Sequence, residues 1–298
     1  MRYSRALALA VDPRPTSLVW EKSPPAGTLS DSSVHRRLRA QLGDSLSHSI
    51  LDPHRIFLEI GGCRSPVGRQ LRRLGFPALS LSAHYGAAFD YCSPAVHSTL
   101  TGWVRSGLVS GVFFNLDHPS WAGSEVNSLR SVSHPLGLPC LSGETLNQVL
   151  AGNREMKASL QLLREAISCG LPSMLLYDGK SVVEHTPNLL RALAQGGNTV
   201  TLDQCQFGGR VRKLSRVAGW HVGPIYSLAL RCKGHHGVCS LSGKRHLLPR
   251  SWSKSSVPTA RCSIPTKLCS TFAALLARAK EFLELHRLTS LVAPPATL

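Results

Sequence analysis

The chain has 298 residues, of which 43% are hydrophobic, and it contains 34 Lys and Arg against 17 Asp and Glu. The formal net charge of +17 and the pI near 10.1 point first to a polyanionic partner such as nucleic acid, although a solvated basic surface gives the same composition. No apolar run reaches the roughly 20 residues that a membrane-spanning helix needs. We therefore expect a soluble protein with one core plus an extension, and no membrane partner.

Cysteine usage indicates the compartment. The nine cysteines are an odd number and lack the spacing of a secreted disulfide scaffold. They favour a reducing environment with free thiols or a partial metal site. We expect an intracellular protein, nuclear or otherwise associated with nucleic acid, and nothing in the composition predicts an oligomeric state.

The first 53 residues are rich in Pro, Ser and Arg and show little apolar periodicity, which predicts a basic N-terminal arm rather than a domain. Residues 34–42 are compatible with a short helix, and residues 35–39 within it form a basic cluster. This cluster either contacts phosphates or is a solvated helix face.

The domain is predicted to begin with a strand, a tight turn and a helix. Ile56–Ile60 supplies a short apolar strand, Gly61 and Gly62 permit a sharp reversal of the backbone, and apolar residues at helical spacing follow up to Gly75. A second apolar run over 76–81 completes a strand-helix-strand crossover, with which doubly wound nucleotide-binding folds begin. The turn places free backbone N–H groups at the start of the helix, where a cofactor can bind.

Strands and helices alternate along the rest of the domain. Predicted helices cover residues 95–105, 143–169 and 188–194, and predicted strands cover 109–116, 174–177 and 198–202. The segments 218–220 and 225–230 are expected to form a closing hairpin. This alternation predicts an α/β domain over residues 54–230. The strand over 109–116 runs directly into the loop from Asp117 to Trp121, at the position where open α/β sheets bind ligands.

Two later segments carry candidate binding residues. The glycine-containing loop over 206–213 has three cations that face either phosphates or solvent, namely Arg210, Arg212 and Lys213. Further on, sulfur and imidazole ligands lie close enough in sequence for a zinc site, and the candidates are Cys232, His236, Cys239 and His246. Their spacing matches no standard zinc finger. Residues 231–298 are thus expected to form a small C-terminal extension, with an amphipathic helix over 267–286 that packs on the sheet.

These segments together resemble the DNA methyltransferase-like domains carried by retroelements and protists, which are distantly related to the carbon-5 cytosine methyltransferases. The resemblance covers roughly residues 57–269. The matching segments are the strand with Glu59, the turn from Asp90 to Pro94, and the ranges 102–107, 109–121, 203–208 and 239–246. The resemblance implies a doubly wound, Rossmann-like sheet of the class I methyltransferase type. It also implies the cofactor S-adenosylmethionine, with Glu59, Gly61, Gly62 and Asp90 nearest to it.

The resemblance further implies that Asp117, His118, Trp121 and Asp178 contact the target base. The chain departs from the family's pattern at four places. Cys63-Arg64-Ser65 replaces the small residues of the first turn, and Ser82 replaces the acid that holds the ribose hydroxyls. Asp117-His118 stands where a Pro-Cys pair supplies the nucleophilic thiolate, and Asp178 stands where the family has a base-binding Glu.

Three hypotheses follow, and the sequence leaves open whether the protein is an enzyme. The favoured one is a methyltransferase-like protein of mobile-element type with a degenerate active site, which binds nucleic acid, most simply DNA. One lost polar contact in a tuned site costs about 100-fold in rate, and here four motifs differ at once. The alternative is an active S-adenosylmethionine-dependent DNA base methyltransferase. A nuclease or hydrolase that holds a metal with Asp117 and His118 ranks last, because no third ligand is evident.

Overall fold

The computed structural model describes residues 55–62, 66–121, 129–247 and 264–292, with only the backbone described for Ala88 and residues 286–292. The arm predicted over residues 1–53, its short helix and the first-turn residues Cys63-Arg64-Ser65 lie outside the described residues. None of the helices in the described part of the chain combines the length and the apolar character that crossing a bilayer requires.

Six strands form one mixed sheet. In chain order they are β1 (Ile56–Ile60), β2 (Ala78–Leu81), β3 (Val109–Leu116), β4 (Ser173–Asp178), β5 (Asn198–Asp203) and β6 (Leu214–Trp220). Their order in the sheet is β2-β1-β3-β4-β6-β5. β1 pairs in parallel with β2 and β3, and β3 pairs in parallel with β4, whereas β6 runs antiparallel to both β4 and β5. The prediction of an α/β protein is confirmed.

Five α-helices in the described part of the chain cover the two faces of this sheet. They are α1 (Pro66–Arg73), α2 (Pro94–Arg105), α3 (Gly143–Ser168), α4 (Pro187–Leu193) and α5 (Thr266–Val292). α1 and α5 lie together on one face, where the rings of Phe113 and Phe272 have their centroids 5.1 Å apart. α2, α3 and α4 pack together on the other face, and Trp220 Nε1 donates a hydrogen bond to Ala192 O of α4 at 2.9 Å.

The central strands are buried along their whole length, because helices cover both faces. Every residue of β1 and β3 is buried, and both sequences read as nearly continuous apolar runs, as is typical of parallel strands. The last helix packs on the sheet, as the apolar stripe over 267–286 predicts. It therefore belongs to the same core as the first strand.

The predicted hairpin between segments 218–220 and 225–230 is wrong. β6 pairs on both sides with β4 and β5, so the antiparallel partner that precedes it in sequence is β5. After Trp220 the chain leaves the sheet through Gly223 and Pro224, and residues 226–228 form a short 3-10 turn. Proline has no N–H to give to a strand ladder, which prevents a further strand from starting there.

The carboxyl ends of β1, β3, β4 and β5 lie at one edge of the sheet, together with the amino end of β6. The chain reaches β2 on one side of β1 and then crosses to β3 on the other side. Ligands of open α/β sheets bind in the crevice at such a change of direction. This carboxyl edge is where the candidate functional side chains are to be sought.

Candidate metal centre and carboxyl edge of the sheet

Three thiols and one imidazole converge beside the end of β5. The ligand atoms of Cys205, Cys232, Cys239 and His246 all lie within 4.8 Å of one another. Cys232 Sγ is 3.7 Å from His246 Nε2. The three cysteines are buried and the histidine is half-buried. Four ligand groups at this separation can hold a metal ion.

Two chain segments supply these ligands. Cys205 lies in the short 3-10 turn that follows β5 directly, and the other three ligands lie on the loop after β6. That loop folds back on itself because Cys239 N donates to Lys244 O at 2.8 Å and His246 N donates to Gly237 O at 2.7 Å. The group therefore joins the end of the sheet to the first part of the C-terminal extension.

A buried carboxylate holds the first of these loop cysteines in place. Asp203, at the end of β5, is 1% exposed, and its Oδ2 accepts hydrogen bonds from Cys232 N at 2.8 Å and from Arg231 Nε at 3.1 Å. Backbone and side-chain groups that orient metal ligands commonly set the affinity of such sites. Asp203 is thus a positioning residue for Cys232.

Hydrogen bonds to sulfur favour the thiolate form at two of the three cysteines. Burial by itself raises the pKa of Cys232, but N–H groups of Ser240 and Gly234 and the Ser240 hydroxyl outweigh it and lower the pKa to about 6. Burial is similarly outweighed at Cys239, whose pKa is lowered by the backbone N–H groups of Ser242 and Leu241. Burial raises the pKa of Cys205 to about 12. Since a metal binds the thiolate, a metal ion would have to displace the Cys205 proton.

The structure brings together three of the four metal ligands predicted from the sequence, namely Cys232, Cys239 and His246. His236 is not part of this group in the described residues, and it is exposed on a turn with a left-handed backbone (φ 51°). Cys205 stands in its place. The spacing of ligands within one loop could not predict Cys205, because Cys205 comes from the end of β5. The sequence signal that could have predicted it is its position directly after a strand, at the carboxyl edge of the sheet.

A second polar cluster occupies a narrow cleft between the ends of β3 and β4. Asp117 and Asp178 both line it, together with Lys213, which directly precedes β6. Lys213 Nζ lies 3.0 Å from Asp117 Oδ1 and forms an ion pair with it. Burial raises the pKa of the Asp178 carboxyl, and the charge of Asp117 acts in the same direction. The two predicted base-contacting carboxylates thus lie together, with a cation that was predicted to contact phosphates.

The other two residues predicted to contact the base lie against α3 instead. Trp121 is buried, and its Nε1 donates to Gly152 O at 3.1 Å. The guanidinium of Arg130 covers its ring, with Arg130 Cζ 3.4 Å from the ring centroid. His118 Nδ1 lies 2.9 Å from Ser120 Oγ, and burial, with the nearby Arg130 charge, lowers the pKa of His118.

Arg130 connects the loop around Trp121 to α3, and it was not predicted as a functional residue from the sequence. It is buried, and its guanidinium donates to Ser120 O at 2.9 Å, to Val149 O at 3.1 Å and to Asn153 Oδ1 at 2.7 Å. Burial lowers its pKa to about 10, so it stays protonated at neutral pH. A lone Arg in a loop between predicted elements carries no sequence signal for such a role.

The predicted cofactor residues of the first turn make internal contacts. Glu59 is 1% exposed, and its carboxylate accepts hydrogen bonds from Val67 N at 3.1 Å, Gly68 N at 2.8 Å and Ser80 Oγ at 2.9 Å. It therefore caps the first turn of α1, where a helix favours negative charge. Burial raises the pKa of Glu59 despite these hydrogen bonds.

The two glycines of the first turn lie against β3. Both have left-handed backbones, with φ 78° at Gly61 and φ 76° at Gly62. An added Cβ at Gly61 would overlap the carbonyl oxygen of Asn115, and one at Gly62 would lie 2.9 Å from Asn115 Nδ2. The described part of the turn is therefore packed closely against the end of β3.

Asp90, the fourth predicted cofactor residue, lies beside α3. Its Oδ1 accepts a hydrogen bond from Cys92 N at 3.0 Å, and its Oδ2 lies 3.7 Å from Arg154. The neighbouring Glu155 is affected: burial, together with the charge of Asp90, raises the pKa of Glu155 to about 7. This pair of carboxylates makes stability depend on pH.

We expect Glu155→Gln to stabilise the protein at neutral pH. Between about pH 4.5 and 7 the unfolded chain releases the Glu155 proton while the folded chain keeps it, so wild-type stability falls with rising pH over this window. Glutamine cannot ionise, so the variant lacks this loss. Its free energy of unfolding relative to wild type should therefore be about 1 to 3 kcal/mol higher at pH 8 than at pH 4. Urea unfolding at both pH values measures it. Glu144→Gln, at an exposed position of α3, is the control, and an equal pH dependence in both variants contradicts the assignment.

The three cations predicted to bind phosphates have different surroundings. Arg210 is exposed. Arg212 donates from its guanidinium to Cys232 O at 3.1 Å and lies 3.7 Å from Asp203 Oδ2, which connects it to the metal group. Lys213 is paired with Asp117. The cations of this loop are thus partly neutralised by carboxylates that the strand ends supply.

No model of a known protein family matches the chain, and no curated protein matches its sequence.

Proposed function

We propose that the protein binds nucleic acid, that a zinc ion held by Cys205, Cys232, Cys239 and His246 stabilises its binding region, and that its methyltransferase-like active site is degenerate. The single observation that carries this proposal is the metal-ligand group. The four ligands lie in the stretch of sequence from Gln204 to Lys280, which has many cations and no Asp or Glu. A metal bound to them would hold the loops of this stretch together. An acid-free basic stretch that a metal can fold is suited to a polyanion.

The ligand chemistry supports zinc. Three sulfur ligands and one imidazole are a common set at structural zinc sites, and soft thiolates select against Mg²⁺ and Ca²⁺. Protein side chains supply four ligands, which fills the tetrahedral coordination of zinc and leaves no position for a substrate. The role proposed for the zinc is therefore structural.

The arrangement of the sheet supports a Rossmann-like relationship. The order in which the chain adds parallel strands reverses at β1, helices lie on both faces of the sheet, and a Gly-Gly turn follows β1. The antiparallel β6, inserted between β4 and β5, is compatible with the class I methyltransferase type implied by the sequence resemblance.

The surroundings of the described pocket residues support loss of methyl transfer. Glu59 caps α1, and Asp117 forms an ion pair with Lys213. The guanidinium of Arg130 covers the ring of Trp121. Ser82, at the position of the ribose-binding acid, is buried and accepts a hydrogen bond from His84 N within its own turn. Each of these four groups already has an internal partner.

We expect calorimetric titration with S-adenosylmethionine to show no binding, and we expect short DNA and RNA oligonucleotides to bind with strong salt dependence. If about three phosphates are contacted, the logarithm of the duplex affinity should fall with the logarithm of salt at a slope near −3. Anisotropy at several salt concentrations measures it. An S-adenosylmethionine affinity in the micromolar range, with methyl transfer lost in Asp117→Ala and Asp178→Ala, contradicts the proposal. That result would establish the alternative, an active methyltransferase. The observation that favours this alternative is that Asp117 and Asp178 line the same cleft.

A further inference from the structure

The metal-ligand loops carry exposed cations directly beside their ligands. Lys233 follows Cys232, and Lys244 and Arg245 precede His246. All three are exposed. Arg210, from the segment that also supplies Cys205, is exposed as well. We refer to these four residues, Arg210, Lys233, Lys244 and Arg245, as the basic loop face.

Backbone contacts tie the basic loop face to the metal group. Lys233 N donates to Ser240 Oγ at 3.1 Å, and Ser240 N in turn lies 3.5 Å from Cys232 Sγ. Lys244 O accepts from Cys239 N at 2.8 Å, and Arg245 forms a β-bridge with Val238. Leu247 N donates to Arg210 O at 3.0 Å, which joins the two segments. The backbone positions of all four cations are thus set within a few residues of a ligand.

Within the described part of the chain, the charges of the basic loop face are not neutralised by ion pairs. Among the residues that the structure describes, no Asp or Glu forms an ion pair with any of these four side chains. Asp203, which lies beside the metal group, is buried and is already shared by Arg212 and Arg231. The cations therefore remain available for an external anion.

We propose that the basic loop face is the surface that binds the sugar-phosphate backbone of nucleic acid, and that it binds only when the metal group is occupied. This inference rests on the proposed function and names the surface responsible for it. Flexible Lys and Arg side chains on a fixed backbone suit phosphate oxygens, which are read independently of base sequence. Without a metal the two segments lose their common anchor, and ordering them on the nucleic acid would cost conformational entropy.

The test uses the full zinc-loaded chain and two variants that each remove three positive charges. The first is Lys233→Ala with Lys244→Ala and Arg245→Ala. The second, its matched control, is Arg73→Ala with Lys157→Ala and Arg191→Ala, which are exposed positions on α1, α3 and α4. Anisotropy with a DNA duplex, from about 50 to 200 mM salt, gives affinity and salt slope. Native mass spectrometry verifies that both variants keep their zinc.

We expect the first variant to lose about 10- to 100-fold in affinity and its salt slope to become shallower by about 2 to 3, with little change in the control. Equal losses in both variants, or none in the first, overturn the inference while leaving nucleic-acid binding itself in place. If wild-type protein does not bind DNA or RNA at any of these salt concentrations, the proposed function fails as well. Binding to phosphatidylserine vesicles but not to nucleic acid also overturns the inference, because the ligand is then a lipid surface.

Discussion

Replacing Cys205 by serine is expected to abolish metal binding and to destabilise the protein by about 3 to 5 kcal/mol, near the upper end of single-substitution effects. Cys205 is the ligand that connects the end of β5 to the loop after β6. Its loss leaves two buried thiols without a shared ion and releases the second segment. Native mass spectrometry measures the zinc content, and urea unfolding measures the stability.

Two further substitutions make this test specific. His246→Ala should behave like Cys205→Ser, whereas His236→Ala should keep both zinc and stability, because His236 is exposed and lies outside the ligand group. Cys140→Ser, at an exposed position elsewhere, controls for the loss of a thiol. If the His236 variant loses its zinc while the Cys205 variant keeps it, the ligand set drawn from sequence spacing is right and the one in the structure is wrong.

Gly61→Ala is expected to destabilise the protein by about 3 to 4 kcal/mol, because two costs combine at this position. The left-handed backbone, with φ 78°, costs an L-residue about 1 kcal/mol or more. The added methyl group also overlaps the carbonyl oxygen of Asn115, so β1 and β3 must shift apart at the carboxyl edge. Backbone cannot move aside as cheaply as a flexible side chain, and the remaining cost arises there.

The matched control for this substitution is Gly75→Ala. Gly75 has a similar backbone, with φ 86°, but no atom lies within 4 Å of an added Cβ. It should lose only about 1 kcal/mol, so the difference between the two variants measures the close approach of the first turn to β3. Thermal and urea unfolding both report it. Equal destabilisation of the two variants would show that the turn is not packed against Asn115.

The elements were predictable from the sequence where local signals agree. The strand before Gly61 and the helices predicted over 95–105 and 143–169 each form, the last two as α2 and α3. The position of β6 in the sheet was not predictable from local sequence. β6 lies between β4 and β5, and its neighbour β4 is far away in sequence. A hairpin with the segment that follows was the simpler local interpretation, and Pro224 prevents it.

The residues of the candidate sites were likewise predictable where they lie close in sequence and not where the fold brings them together. Cys232, Cys239 and His246 lie close together in sequence, which makes them predictable as a group. Cys205 and the anchor Asp203 instead come from the end of β5, and the loop after β6 returns to that point, where Cys232 N donates to Asp203 Oδ2 at 2.8 Å. The pairing of β6 with β4, which lies next to β3, brings Lys213 to Asp117, so a loop that is predicted to face phosphates or solvent carries an internal ion pair. Residue types predict the chemistry of a site, but the fold decides which of them meet.

If a basic surface organised by a metal binds nucleic acid, chelation of the metal should change the affinity of the wild-type chain for a DNA duplex. We predict that removing the metal weakens binding at least about tenfold, and that zinc restores it while Mg²⁺ does not. An apo protein that binds DNA as tightly as the zinc-loaded protein, with the same salt slope, would show that the metal does not organise the binding surface.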